Sequence, residues 1–283
     1  MVARVLVGIA LLGVSSGTLR AAEPATERGG RDVDSRLQKF FTAKERHARA
    51  LAREFKIEAA PEMWSFFDAG TQGDWATVRK LWRDLSRKSG QYTAGVVDES
   101  VRNLVWSPLL ESELAYECFT AMDMKFVETF ARDTIAVIPK GAIYFGGTDP
   151  GRGVITAFVN SHADADPFFV LTQNALADGL YLKFLAATFG KKIYVPTEDD
   201  SSKAFEAYKA DAGLRLDEDR LKPGEKVSRK DGKIEVEGMI SVMEINALLA
   251  KVTFDKNPKR EFYVEESFPL DWMYPYLSPR GPS

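Results

Sequence analysis

The sequence predicts an α/β protein: a helical region over residues 23–137, then an α/β domain over residues 138–283 with a Rossmann-like, mostly parallel sheet flanked by helices. Two observations carry this. As far as Val137, apolar residues recur at spacings of three and four on a charged background, the period of a helix face. Beyond Ile138 the pattern changes to short apolar runs separated by helical stretches, the alternation that builds βαβ crossovers.

The chain opens with Arg4 and an apolar stretch of 15 residues from Val5 to Leu19, followed by Arg20. A membrane span needs about 20 residues, so residues 1–22 read as a signal peptide, cleaved after Gly17 or near Ala21 and Ala22 or retained as an anchor. The expected location is extracytoplasmic, periplasmic or secreted, with no membrane span in the mature chain. Without its leader the chain keeps 36 basic against 41 acidic residues. That balance argues against nucleic acid as a partner, since such binding depends on many Lys and Arg contacts to phosphate.

In the helical region, Leu37, Phe40, Phe41, Ala48, Leu51 and Phe55 mark an amphipathic helix from Asp34 to Phe55. Residues 62–70 and 73–85 read as a helical hairpin, with Asp74 capping its second helix. That hairpin resembles a single tetratricopeptide-like unit, with Leu81, Trp82 and Leu85 inward, although no second copy follows at the 34-residue period. Gly90 to Val97 reads as a loop. Ser107–Met122 and Asp123–Val137 read as two more helices, the second with Phe126, Val127, Phe130 and Ala131 on one side. Cys118, the single cysteine, falls on an apolar helix face and reads as core.

In the α/β region, Ala142–Phe145, Phe168–Thr172 and Lys192–Pro196 read as strands. Gly153–Asn160 and Ala175–Phe189 are the intervening helices, the latter closed by Gly190. Ser201–Arg215 and Ile240–Thr253 are further helices, residues 226–237 a hairpin turning at Asp231 and Gly232, and Glu261–Glu265 a late strand. The aromatic segment Trp272–Tyr276 reads either as core or as an interaction surface.

In open α/β sheets ligands sit at the carboxyl ends of the strands. Two segments meet that condition. Gly146, Gly147, Thr148, Asp149 and Arg152 form a glycine-rich loop in which Arg152 would grip an anionic group and Asp149 orient a hydroxyl or amine. Thr172, Gln173 and Asn174, with Asp178 one turn into the next helix, would face them across a crevice. The structural alternative is Asp149 as a helix cap with Pro150 at the first helical position. His162, beside Asp164 and Asp166, could act in catalysis or lie in a polar loop; Glu198, Asp199 and Asp200 could bind a cation or form a solvated loop. No phosphate loop, dinucleotide fingerprint or nucleophile elbow is present, and His47 and His162 are the only histidines. No catalytic residue, cofactor or metal is therefore assigned.

The stretches Ile143–Gly151, Pro167–Asn174, Arg260–Pro269 and Tyr276–Gly281 resemble the soluble extracytoplasmic domain of a bacterial family of polytopic membrane proteins that are themselves similar to protein O-mannosyltransferases. The resemblance covers residues 138–281. It implies a strand ending in a Gly-Thr-Asp-Pro-like turn, a second strand after a short helix, and a late strand leading to a C-terminal β segment. The family's transmembrane helices have no counterpart here, which argues against glycosyl transfer, and the family continues where this chain stops at Ser283, as expected of a shortened sheet edge or an incomplete chain.

These readings lead to an exported envelope protein whose α/β domain binds a glycan, a lipid-linked sugar or a protein partner. The alternative is an enzyme acting on an anionic or sugar substrate at the crevice of residues 146–152 and 172–174. A third possibility is a scaffold with an open groove between residues 34 and 130.

Overall fold

The computed structural model describes residues 3–6, 27–90, 97–147, 150–159, 167–265 and 270–280. After a short strand, β1 (Ala3–Leu6), come five helices: α1 (Glu27–Phe55), α2 (Pro61–Gln72), α3 (Trp75–Lys88), α4 (Trp106–Ala121) and α5 (Met124–Val137). The hairpin α2–α3 turns through Gly73, whose φ of 76° lies in the left-handed region that favours glycine. Asp74 then caps α3 by accepting from the Thr77 N–H at 3.1 Å. Hydrogen bonds from the Thr77 hydroxyl, at 2.6 Å, and then from its N–H hold the Asp74 carboxyl below the usual range.

The hairpin's aromatic face is filled from within the chain. Phe41 of α1 meets Phe66 and Trp75, Trp75 stacks on Tyr116 and Trp82 stacks on Trp106 of α4. Among the described residues, the aromatic side of the hairpin is thus covered by α1 and α4. Cys118 is buried, as its position implied. Phe126 is a correction: it is 70% exposed, while Val127 and Ala131 are buried, because the apolar stripe of α5 is narrower than the sequence pattern.

The sheet is parallel at its centre. The strands β2 (Ile143–Gly146), β3 (Phe169–Thr172) and β6 (Phe262–Val264) lie in the order β3-β2-β6, with Ile143 opposite Phe169 on one side and Phe262 on the other. Two short outer strands, β1 (Ala3–Leu6) and β7 (Leu277–Arg280), continue it beyond β6. Of the segment 1–22 that the sequence reading takes as a signal peptide, residues 1, 2 and 7–22 lie outside the described residues.

Alternation sends side chains to opposite faces of the sheet. Ile143, Phe145, Phe169, Leu171, Phe262 and Val264 join one apolar cluster with α7 (Gly179–Phe189) and α9 (Met239–Lys256). Tyr144, Val170 and Tyr263 join another with Ile155 and, from α5, the half-buried Phe130 and Ile135. Both faces are covered, which explains why the strands read as unbroken apolar runs.

The remaining elements are α6 (Ile155–Val159), α8 (Glu198–Asp217) and the antiparallel hairpin β4 (Lys226–Lys230) with β5 (Lys233–Glu237). The hairpin turns at Asp231 and Gly232, both with positive φ, as its sequence demanded. Three expectations need correction. Lys192–Pro196 is not a strand; Asn257 holds Tyr194 at both backbone N–H and carbonyl, and Arg260 donates to the Lys192 carbonyl, so side chains satisfy groups that a neighbouring strand would have paired. The third central strand is β6, supplied by the late Glu261–Glu265 segment. The predicted helix Gly153–Asn160 begins as a π turn over Pro150–Val154 and is regular only over α6.

The aromatic tail divides. Met273 is fully buried and the Trp272 indole donates to the Ala247 carbonyl at 2.9 Å, whereas Tyr274 and Tyr276 are exposed.

Candidate functional site

A narrow cleft lies between α4 and the carboxyl end of β3, with the π turn over Pro150–Val154 along its side. Its polar lining comes from both halves of the chain: Arg102, Ser107 and Glu111 from the helical half, Arg152, Thr172 and Asp178 from the α/β half. It encloses about 40 Å³, room for a few ordered waters or one small anionic group.

Each wall has a local cause. Gly153 lets the π turn lie against α4; a Cβ there would sit 3.0 Å from the Leu114 carbonyl carbon. Packing continues through this contact, since Val154 and Ala157 belong to the same apolar cluster as the helical core. The Tyr181 hydroxyl accepts from the Thr172 N–H at 2.8 Å and ties the end of β3 to α7. Burial pushes the Tyr181 phenol well up, so it stays protonated.

Two ion pairs brace the cleft. Arg102 pairs with Asp178, joining the segment before α4 to the start of α7. Lys44, which is 1% exposed, pairs with Glu111 at 2.5 Å. A pair so deeply buried is sensitive to loss of either partner, because the survivor is left charged without compensation.

Of the residues singled out from sequence, the structure brings Arg152, Thr172 and Asn174 together. Arg152 Nη1 donates to Asn174 Oδ1 at 3.5 Å, and Asn174 Nδ2 donates to the Gly147 carbonyl at 3.4 Å. Gly146 is packed against the turn that follows, where an added Cβ would lie 2.8 Å from the Gly151 carbonyl oxygen. Gln173 is fully buried and begins a short 3-10 turn over Gln173–Ala175, so it supports the cleft from behind.

Thr148 and Asp149 lie outside the described residues, as do His162, Asp164 and Asp166. Asp178 is not one turn into its helix but the N-cap of α7, accepting from the Leu180 N–H at 2.9 Å. Glu198, Asp199 and Asp200 form the first turn of α8 rather than a loop. Asp200 is taken up in a reciprocal capping box with Thr197, and its carboxyl is held below the usual range by hydrogen bonds from Thr197 and Tyr194 that outweigh desolvation.

The sequence reading missed four contributors. Arg102 and Glu111 belong to segments read only as helical scaffold, and no local pattern marks them. Asn246 of α9 accepts from the Ala177 N–H at 2.6 Å and donates to the Asn174 carbonyl at 3.1 Å, fixing the loop after β3 from a distance of 72 residues. Glu265 follows the apolar triplet of β6, and a carboxylate at the carboxyl end of a buried strand was a legible signal. Its Oε2 accepts from the Gly147 N–H at 3.2 Å and from the Tyr144 hydroxyl at 3.4 Å.

Comparison of the chain with family models, with curated proteins and with solved structures finds no match to any of the three.

Proposed function

We propose that the chain is an exported envelope protein whose α/β half binds a small polar ligand by an anionic group, in the cleft between α4 and the carboxyl end of β3. One observation carries the reading: two guanidinium groups, Arg102 and Arg152, approach from opposite halves of the chain and line the same polar cleft. Ser107 in the first turn of α4 lines it too, so one helix N-terminus borders the space, while that of α7 is already capped by Asp178. Helix N-termini and guanidinium forks favour the same guests, carboxylates and phosphates. Among a glycan, a lipid-linked sugar and a protein partner, a sugar bearing phosphate or carboxylate suits this lining best.

Four other features accompany the reading. The leader over residues 1–22 has the charge and length of an export signal. Among the described residues no helix is long and apolar enough to cross a membrane. A cleft at the carboxyl edge of parallel strands agrees with a Rossmann-like layer, in which ligands bind at that edge. The motifs shared with the extracytoplasmic domain of the mannosyltransferase-like membrane proteins fall on β2, β3 and β6.

A second reading, an enzyme acting on an anionic or sugar substrate at this cleft, draws on Tyr181. A buried phenol that keeps its proton can donate to a substrate oxygen.

The test is a thermal-shift screen of the full chain with inorganic phosphate, pyrophosphate, sugar phosphates and uronic acids. A ligand held only by the folded state at about 100 times its Kd raises stability by about 2.7 kcal/mol. Arg152→Ala should weaken binding about tenfold or more, as expected when a charge-assisted hydrogen bond is lost. A shift of equal size in the variant would place the ligand elsewhere, and product formation abolished by Tyr181→Phe would select the enzyme.

A further inference from the structure

The glycine loop was expected to let a ligand approach its backbone closely, with Arg152 gripping an anionic group. In the structure a carboxylate of the chain itself lies against that backbone. Glu265 stands one residue beyond β6, is 7% exposed, and is locked to the sheet by its own N–H, which donates to the Phe145 carbonyl at 2.9 Å. Its carboxylate receives the Gly147 N–H and the Tyr144 hydroxyl. Gly151 lies so close that any Cβ there would overlap the Glu265 carboxylate. Gly147 and Gly151 thus both lie against this internal carboxylate.

This has a consequence for Arg152. With the backbone donor of Gly147 spent on Glu265, an incoming anion must be held by side chains. Arg152, next to Gly151, is the loop residue that reaches across to Asn174. We propose that Glu265 is the positioning residue of this cleft: its carboxylate is the built-in anion that holds Gly147 and Gly151 in place and so aims Arg152 at the ligand. The proposal rests on the anion-binding reading of the cleft, and it makes the guest a carboxylate or phosphate taken by a guanidinium fork rather than by a glycine-loop cradle. Tyr144 belongs to the same device, since burial and the neighbouring Glu265 push its phenol well up and keep it a donor.

The experiment uses the full chain with Glu265→Ala and the isosteric Glu265→Gln. Hydrogen exchange is followed at each amide without ligand, and the Kd for inorganic phosphate is measured with and without excess acetate, which can enter the space the carboxylate leaves. The expected result for Glu265→Ala is faster exchange confined to residues 147–153, with β2, β3 and α7 unchanged, and phosphate binding weaker by about tenfold or more. Acetate should restore both, and Glu265→Gln, which keeps an acceptor for Gly147, should fall between the two.

Unchanged exchange at Gly147 in Glu265→Ala would overturn the proposal. So would exchange that rises throughout the sheet, which is what mere core support predicts. A freed loop with unchanged phosphate affinity would overturn the link to Arg152. If Glu265→Ala does not fold, the same comparison is made with Glu265→Gln, where wild-type exchange and affinity would overturn the need for the charge. Failure of the unaltered chain to bind phosphate, pyrophosphate or a uronic acid would instead sink the anion-binding reading, while exchange and its rescue by acetate would still decide whether Glu265 holds the loop.

Discussion

Glu113 supplies the sharpest quantitative prediction. It lies on the face of α4 that runs from Trp106 through Leu109 to Tyr116, between the two aromatic stacks with α3. It is 6% exposed, and its Oε2 has no hydrogen-bond partner among the described residues. Desolvation, helped by the Glu117 charge one turn on, pushes its pKa up from 4.5 to about 8. A carboxyl raised in this way binds its proton more tightly in the folded chain than in the unfolded one. Its contribution to stability is therefore full below the unfolded value and is lost as pH rises through the folded one. At 1.36 kcal/mol per unit the whole loss is about 5 kcal/mol, of which about 3 kcal/mol has gone by pH 7.

Glu113→Gln keeps the shape and removes the titration. The variant should match the parent near pH 4.5 and exceed it by about 3 kcal/mol at pH 7, a rise in Tm of about 6 °C or more for a chain of this size. Urea unfolding of both proteins at intervals between pH 4.5 and 8 measures the difference directly. Comparing the two cancels the opposite pH dependence of Asp74, Asp98 and Asp200, whose carboxyls are held low by hydrogen bonds and lose stabilising charge as pH falls. A constant difference across that range would refute the argument from burial.

Two further predictions concern the fold. Asp74→Ala removes the cap of α3 and should cost about 1 kcal/mol in urea unfolding, with Asp74→Asn retaining most of it. Leu171→Ala opens space in the sheet face that packs on α7, where Leu171 is fully buried, and should cost about 2–5 kcal/mol by the same assay; a loss under about 1 kcal/mol would mean that β3 is not part of the cooperative core.

Much of the architecture was legible because its signals are local. Period in the apolar pattern marked α1 to α5, α7, α8 and α9, and Asp74, Asp231 and Gly232 marked their cap and turn by side-chain chemistry alone. The runs at Ile143 and Phe169 revealed strands covered on both faces. Where the reading failed, a residue far along the chain had intervened. Lys192–Pro196 has strand-like composition, yet Asn257 and Arg260 claim its backbone groups.

For the site, the sequence by itself located the carboxyl edge of the sheet and brought forward Arg152, Thr172 and Asn174, because strand ends, glycines and polar residues are adjacent in the chain there. Tertiary structure alone decided what faces them. Arg102 and Glu111 arrive from the helical half, Asn246 from α9, and Glu265 from the end of β6 to occupy the loop that sequence had reserved for a ligand. Periodicity and turn chemistry act over a few residues and so are written in the local sequence. Which carboxylate meets the Gly147 N–H depends on strand order, and β6 stands beside β2 only because more than a hundred intervening residues fold back to place it there.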